Sequence, residues 1–368
     1  MEITWKKDCK SFVGGFVCDV LKSNGYKHCG ECNFYNPYSK KVLIVKTGSL
    51  GDVLRTTCLI PGIRRKYGEN AMIYWLVFEK NKEPLLNNPY IDKLLIYNQD
   101  TMLRLQYEEF DAVFSMDTDL PSIAIANLVK AKEKFGYYFD KTGNPSAINK
   151  AANYYLETAQ SDYLNKKNRK SYPEMIYEIA ELKFEKDLPI LSVSQSQVDF
   201  GKEFLNKNNV SNKNIIGINI GSAPRWPSKV WHNSKVTELI KKIKKNNHEV
   251  VILAGPSEVE TLKNMKNELK KENISIIHND PNNSLHDFIS VLNICNTVIT
   301  GDSLHLHLAT ALKKKIVALF FCTPHWEIED YGIVKKVISP LFENYFFADK
   351  YVEELVNSIS AEQVYKEI

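Results

Sequence analysis

The stretch Ile215-Ile216-Gly217-Ile218-Asn219-Ile220-Gly221-Ser222 decides the fold of this chain. A short run rich in β-branched residues that stops at a glycine and a small polar residue reads as a buried strand entering a turn. The same grammar recurs downstream. Strand 250–254 runs into Gly255-Pro256-Ser257-Glu258, strand 297–300 into Asp302-Ser303, and strand 315–321 into Thr323-Pro324. Helical spacing over 233–246, 257–272, 284–294 and 303–313 separates these strands, which predicts a parallel sheet wrapped by helices. In such a sheet all four polar ends lie along the carboxyl edge, where open α/β folds bind ligands. Each end also has a plain reading of its own: Ser222 and Ser257 as helix caps, Gly255 as a turn glycine. Their coincidence predicts a ligand cleft.

The pattern repeats upstream, with strands at 42–46, 71–78, 94–97 and 111–116. A length of 368 residues exceeds what one core usually serves and calls for two domains. The predicted fold is therefore α/β, with Rossmann-like domains over 41–190 and 191–340 facing a central cleft. The stretch 140–175 is polar and rich in Asn, Lys and Tyr, which predicts loops bordering the cleft and the approach to a linker. In 341–368, Val352, Leu355, Val356 and Ile359 recur at helical spacing and predict a terminal helix.

Hydrophobic residues at 44% and charged residues at 25% are ordinary globular values, and they exclude a disordered or fibrous chain. A net charge of +4 over this length lacks the concentrated basic stripe of a nucleic-acid binder. Anionic small molecules remain compatible with it. No apolar run approaches the ~20 residues that span a bilayer, and the start, Met1 to Lys7, lacks the apolar core of an export signal. A cytoplasmic protein is expected, with peripheral contact at the inner membrane face left open.

Several residues carry candidate chemistry. Strand 42–46 enters Thr47-Gly48-Ser49-Leu50-Gly51-Asp52, where Gly51 permits close approach and a helix start presents free N–H groups. On spacing alone Asp52 reads first as a residue that charges the opening helical turn. In Arg225-Trp226-Pro227-Ser228-Lys229 two cations flank an apolar anchor, which suits a diphosphate and suits a solvated basic turn equally. His305 and His307 stand two apart at a helix start, so they do not share a face for joint metal ligation. One of them bonding a phosphate is the alternative to a backbone-satisfied histidine.

Cysteine usage is lopsided. Of seven cysteines, Cys9, Cys18, Cys29 and Cys32 fall within the first 32 residues, and Cys29-Gly30-Glu31-Cys32 forms a knuckle-like pair. In a chain without an export signal, such clustering predicts a metal-binding module over 1–40 rather than disulfides. Four thiolates suit structural zinc, iron or an iron–sulfur cluster. Cys58, Cys295 and Cys322 sit in apolar contexts and read as core residues.

In order and spacing these motifs resemble the heptosyltransferases, glycosyltransferase family 9, over roughly residues 41–340. Lys46 to Leu54 is similar to that family's opening turn, whose aspartate is its proposed base. Gly221-Ser222 with Arg225-Trp226-Pro227 resembles its donor-phosphate segment, and Gly255-Pro256-Ser257-Glu258 its nucleotide turn. Asp302-Ser303-Leu304-His305-Leu306-His307 is similar to its Asp-Ser/Thr-Gly-x-x-His element, and Thr323-Pro324 to its later corner. Leu304 replaces a usual glycine and Phe321-Cys322 a usual Gly-Pro, changes expected to crowd the donor side. The cysteine module lies outside the common core and resembles only loosely the iron-holding finger of heptosyltransferases that modify autotransporter proteins.

The resemblance implies a GT-B fold and an inverting, metal-independent transfer of a sugar, with ADP-heptose the expected donor and a glycan or protein hydroxyl the acceptor. It implies Asp52 as catalytic base. Ser49, Gly51, Gly221, Ser222, Arg225, Lys229, Gly255, Glu258, Asp302, Ser303, His307 and Thr323 would hold substrates. A homo-oligomer is compatible. The competing readings are a nucleotide-sugar sensor docked through the cysteine finger, and a GT-B-like sugar epimerase.

Overall fold

A computed structural model describes residues 4–210, 214–222 and 225–368; residues 1–3, read above for an export signal, lie outside them. Two six-stranded sheets organise the chain. The first contains β1 (Lys41–Val45), β2 (Met72–Val77), β3 (Lys93–Ile96), β4 (Glu109–Ser115), β5 (Lys130–Phe139) and β6 (Pro145–Ala147), ordered β3-β2-β1-β4-β5-β6. Its strands pair in parallel except β6, which runs antiparallel to β5. The second contains β7 (Ile215–Asn219), β8 (Glu249–Leu253), β9 (Ile277–His278), β10 (Thr297–Gly301), β11 (Lys315–Phe320) and β12 (Val334–Ile338), ordered β12-β11-β10-β7-β8-β9 and parallel throughout. Counted from its own first strand, each sheet has the 3-2-1-4-5-6 order of Rossmann folds. The predicted α/β architecture of two Rossmann-like halves is the one the chain adopts.

The apolar runs explain the layering. Strands covered on both faces need apolar side chains at every position rather than at alternate ones. Val42 and Ile44 pack with Ile73, Trp75 and the helix Tyr172–Ile179, while Leu43 and Val45 pack on the opposite face with Leu76 and Ile125. Each such side chain contributes ~1.5–3 kcal/mol by leaving water.

Strands β5, β6, β9 and β12 escape the sequence reading for a physical reason. β5 opens with Lys130-Ala131-Lys132-Glu133-Lys134 and is largely exposed there, so it shows no apolar run. The 140–175 stretch, expected as loops, forms the helices Lys150–Gln160, Asp162–Lys167 and Tyr172–Ile179. Their outer faces are polar, while Ala152, Leu156, Tyr172, Met175 and Ile176 enter the first core. A capping box between Ser171 and Glu174 starts the third of them.

The expected terminal helix is two short ones, Glu353–Val356 and Ala361–Tyr365. Ser360 caps the second with a Gln363 box, which turns the chain so that Leu355, Ile359 and Val364 all reach the second core. Near the amino terminus a helix spans Asp19–Asn24, starting at Cys18. Among the described residues no helix is long and apolar enough to cross a membrane.

Candidate active site

Each sheet reverses its strand order at one point, between β1 and β4 and between β7 and β10, and ligands of such folds bind beyond the strand ends there. The two reversal points face one cavity of about 720 Å³.

On the first side, Asp117 follows β4 and fastens the turn that leaves β1. Its carboxylate accepts the Thr47 N–H at 2.7 Å and pairs with the buried Lys46 ammonium. The helix Leu50–Thr56 therefore starts at the cavity wall, with Asp52 in its first turn. Ser49 Oγ donates to Asp52 Oδ2 at 2.9 Å, and Arg55 Nη2 stands 2.7 Å from Asp52 Oδ1. Arg55 lies over the Tyr172 ring, 3.5 Å from its centre, and its buried Nε has no hydrogen-bond partner. Burial works to raise the Asp52 pKa, but the charges of Arg55 and Lys46 outweigh it and hold the carboxyl well below the usual carboxylate range. Asp52 is an anion at neutral pH.

On the second side, Asn219 ends β7 and locks the next turn. Its Nδ2 donates to Gly221 O at 2.8 Å and to Thr300 Oγ1 at 3.0 Å, and its Oδ1 accepts the Gly221 N–H at 3.1 Å. Gly221 lets the Glu258 carboxylate come close, since a Cβ there would stand 2.4 Å from its carboxyl carbon and displace it. Glu258 Oε2 in turn accepts the Gly255 N–H at 2.9 Å. Past β10, Asp302 Oδ2 receives the Lys229 ammonium at 2.7 Å and the Thr323 hydroxyl at 2.8 Å. One of the three Lys229 donors is thus committed to Asp302, leaving the others for a ligand.

The histidines diverge as their spacing requires. His305 Nδ1 lies 3.1 Å from Ser303 Oγ, and its ring meets Phe288 edge to face. His307 crosses to the first half, where a Cβ on Gly51 would stand 2.9 Å from its Cδ2. Burial pushes both imidazoles down to about 4, so each is neutral at pH 7. His307 offers a ligand a hydrogen bond and no charge.

Every cleft residue named from the sequence lines this cavity except Gly255, which acts through Glu258. Leu304 lines it as expected. Phe321 and Cys322 do not: both are buried in the second core. Sequence reasoning missed Arg55, Asn219 and Glu327. Arg55 is one helical turn from Asp52, a spacing that could have flagged the pair. Glu327, in a short turn after β11, lines the cavity with its carboxyl pushed up by burial, and no local pattern announces it.

Away from this cleft, Cys9, Cys18, Cys29 and Cys32 all line one small cavity of about 30 Å³ in the amino-terminal module. All seven cysteines are free thiols. Among the described residues no three Cys, His, Asp or Glu side chains form a group that could hold an ion as they stand.

The profile of glycosyltransferase family 9 (heptosyltransferase) matches residues 101–345. Lipopolysaccharide heptosyltransferase 1 of Campylobacter coli is 26% identical over 322 residues, 81% of this chain and 89% of the relative. The crystal structure of a family 9 glycosyl transferase from Veillonella parvula superposes with a TM-score of 0.69 at 18% identity, covering 89% of this chain and 96% of its own. The ADP-heptose lipopolysaccharide heptosyltransferase II of E. coli gives 0.65 at 18% identity, over 89% of this chain and 97% of the other. These neighbours share the fold of two Rossmann-like halves around a cleft.

Proposed function

Because the chain belongs to glycosyltransferase family 9, we propose that it transfers heptose from ADP-heptose to a hydroxyl of a glycan or protein, with inversion and without a catalytic divalent metal. The observation that carries this reading is the apposition of an ionised Asp52 with the Lys229–Asp302–Thr323 cluster and Glu258 across one cavity. An E. coli relative of the same fold is named for ADP-heptose, which supports this choice of donor.

In this mechanism Glu258 accepts hydrogen bonds from the nucleoside hydroxyls. Arg225 and the free donors of Lys229 neutralise the diphosphate, with amides at the start of the helix Leu304–Ala311 and a neutral His307 adding hydrogen bonds. The acceptor hydroxyl enters beside Tyr155, Asn165 and Asn168, which line the first half's wall. Its oxygen bonds to the anomeric carbon as the bond to the diphosphate breaks, ADP leaves, and Asp52 takes the hydroxyl proton. A carboxylate so weakly basic accepts that proton only once the new bond has made the hydroxyl acidic. Position is therefore what Asp52 supplies, a contribution of ~10²–10⁴ in rate. The reaction would run in the cytoplasm, at the inner membrane face where the acceptor is lipid-linked.

Titration calorimetry with ADP, UDP and GDP tests the donor assignment. ADP should bind most tightly, and Glu258→Ala should weaken it; tighter binding of another nucleotide would overturn the choice of ADP.

A further inference from the structure

We propose that the amino-terminal module binds one structural metal ion, zinc or iron, through the thiolates of Cys9, Cys18, Cys29 and Cys32. Four separate points of the segment place thiols around a single cavity of about 30 Å³, one water's share of liquid volume. Four thiolates around one small site are a full ligand set for a single tetrahedral ion.

Local hydrogen bonds hold the turns that carry the thiols. The Cys32 N–H donates to Cys29 O at 3.3 Å, closing the knuckle turn. The Gly30 N–H donates to His28 Nδ1 at 3.0 Å, and the Lys27 N–H to the Glu31 carboxylate at 3.1 Å. Cys18 is fixed at the start of the helix Asp19–Asn24, and Cys9 bridges to Pro37.

What the module lacks is a core. Across residues 4–40 only Leu21 and Cys29 are buried apolar side chains, while Phe16 is 86% exposed and Trp5 and Phe34 are more than half exposed. A segment of this size cannot order itself on so little burial, and metal binding is folding free energy for such modules. The four thiols line the cavity without forming a metal-holding group, so loading the ion requires their deprotonation and an inward movement.

Ordering the module matters to the first half, because the residue beside Cys9 is its anchor. Lys10 Nζ donates to Ala71 O at 2.9 Å and stands 3.0 Å from the Asp92 carboxylate. A four-thiolate site has no open position, so the ion takes no part in the transfer chemistry.

Elemental analysis and native mass spectrometry of full-length protein, purified anaerobically from medium supplied with zinc or with iron, decide the matter. One metal per chain is expected, lost in Cys18→Ser and in Cys29→Ser, with ADP affinity unchanged. The zinc and iron arms identify the ion. Should these variants fail to fold, cobalt titrated into chelated wild-type protein should give thiolate-to-metal absorption saturating at one equivalent. Absence of both metals together with no cobalt–thiolate signal, or disulfides among the four cysteines in the native protein, would overturn the proposal.

Discussion

Arg55 Nη2 and Asp52 Oδ1 stand 2.7 Å apart, one helical turn from each other at the cleft wall. This contact fixes where the carboxylate points and keeps it ionised. In the wild type Asp52 therefore accepts protons down to pH values below the ordinary ~3.9 of aspartate. Arg55→Gln raises its pKa, so the acidic limb of the kcat profile should move upward by ~1–3 units, with kcat lowered on the plateau. A pH–rate series on both proteins checks this; an unmoved limb would detach Arg55 from Asp52.

Asp52→Asn keeps the shape of the residue and removes its charge. Donor affinity should stay within a few-fold of wild type, while turnover drops by ~10²–10⁴ because the lost interaction belongs to the transition state. Calorimetry for ADP beside steady-state kinetics separates the two effects. Near-normal turnover would return Asp52 to a helix-charging role.

Gly51 and His307 come from opposite halves of the chain and meet without room for a methyl group. Gly51→Val should push the two halves apart at this point, raising the donor KM and lowering kcat together. Melting temperature should fall modestly with it, since Leu54 of the same helix packs in one buried cluster with Leu306 and Ala309 of the other half. A large loss of stability with normal kinetics would show that the contact is architectural alone.

Much of this site was legible in the sequence because it rests on strand ends. Gly221, Glu258, Asp302 and Thr323 each follow an apolar run that is buried on both faces and hence visible as a block. Asp302 and Lys229 are 73 residues apart, and only the strand order brings them together. Arg55 stands at i,i+3 to Asp52, but that spacing alone does not separate a cleft cation from a solvated helix face. Glu327 was not readable, since it sits in a short turn after β11 with no apolar run or helical period to mark it. The helices of 150–179 were hidden by polar outer faces, and β5 by its charged opening.

His305 and His307 make stability depend on pH. Their folded pKa values lie near 4, against ~6.5 for an unfolded histidine. Between those values the unfolded chain binds more protons, so acidification from pH 6.5 to 4 should destabilise the protein. Melting temperature measured across that range should fall, and less steeply in His305→Gln. An equal slope in the variant would assign the effect to other groups.

The most direct test of the central claim is the product itself: ADP-heptose and an acceptor preparation incubated with wild-type and Asp52→Asn protein, followed by mass spectrometry and proton NMR of the acceptor. The account predicts one added heptose with anomeric configuration opposite to that of the donor, ADP released in equal amount, and almost none of either with the variant. Retained configuration, an epimerised donor with no transfer, or equal yield from the variant would contradict it.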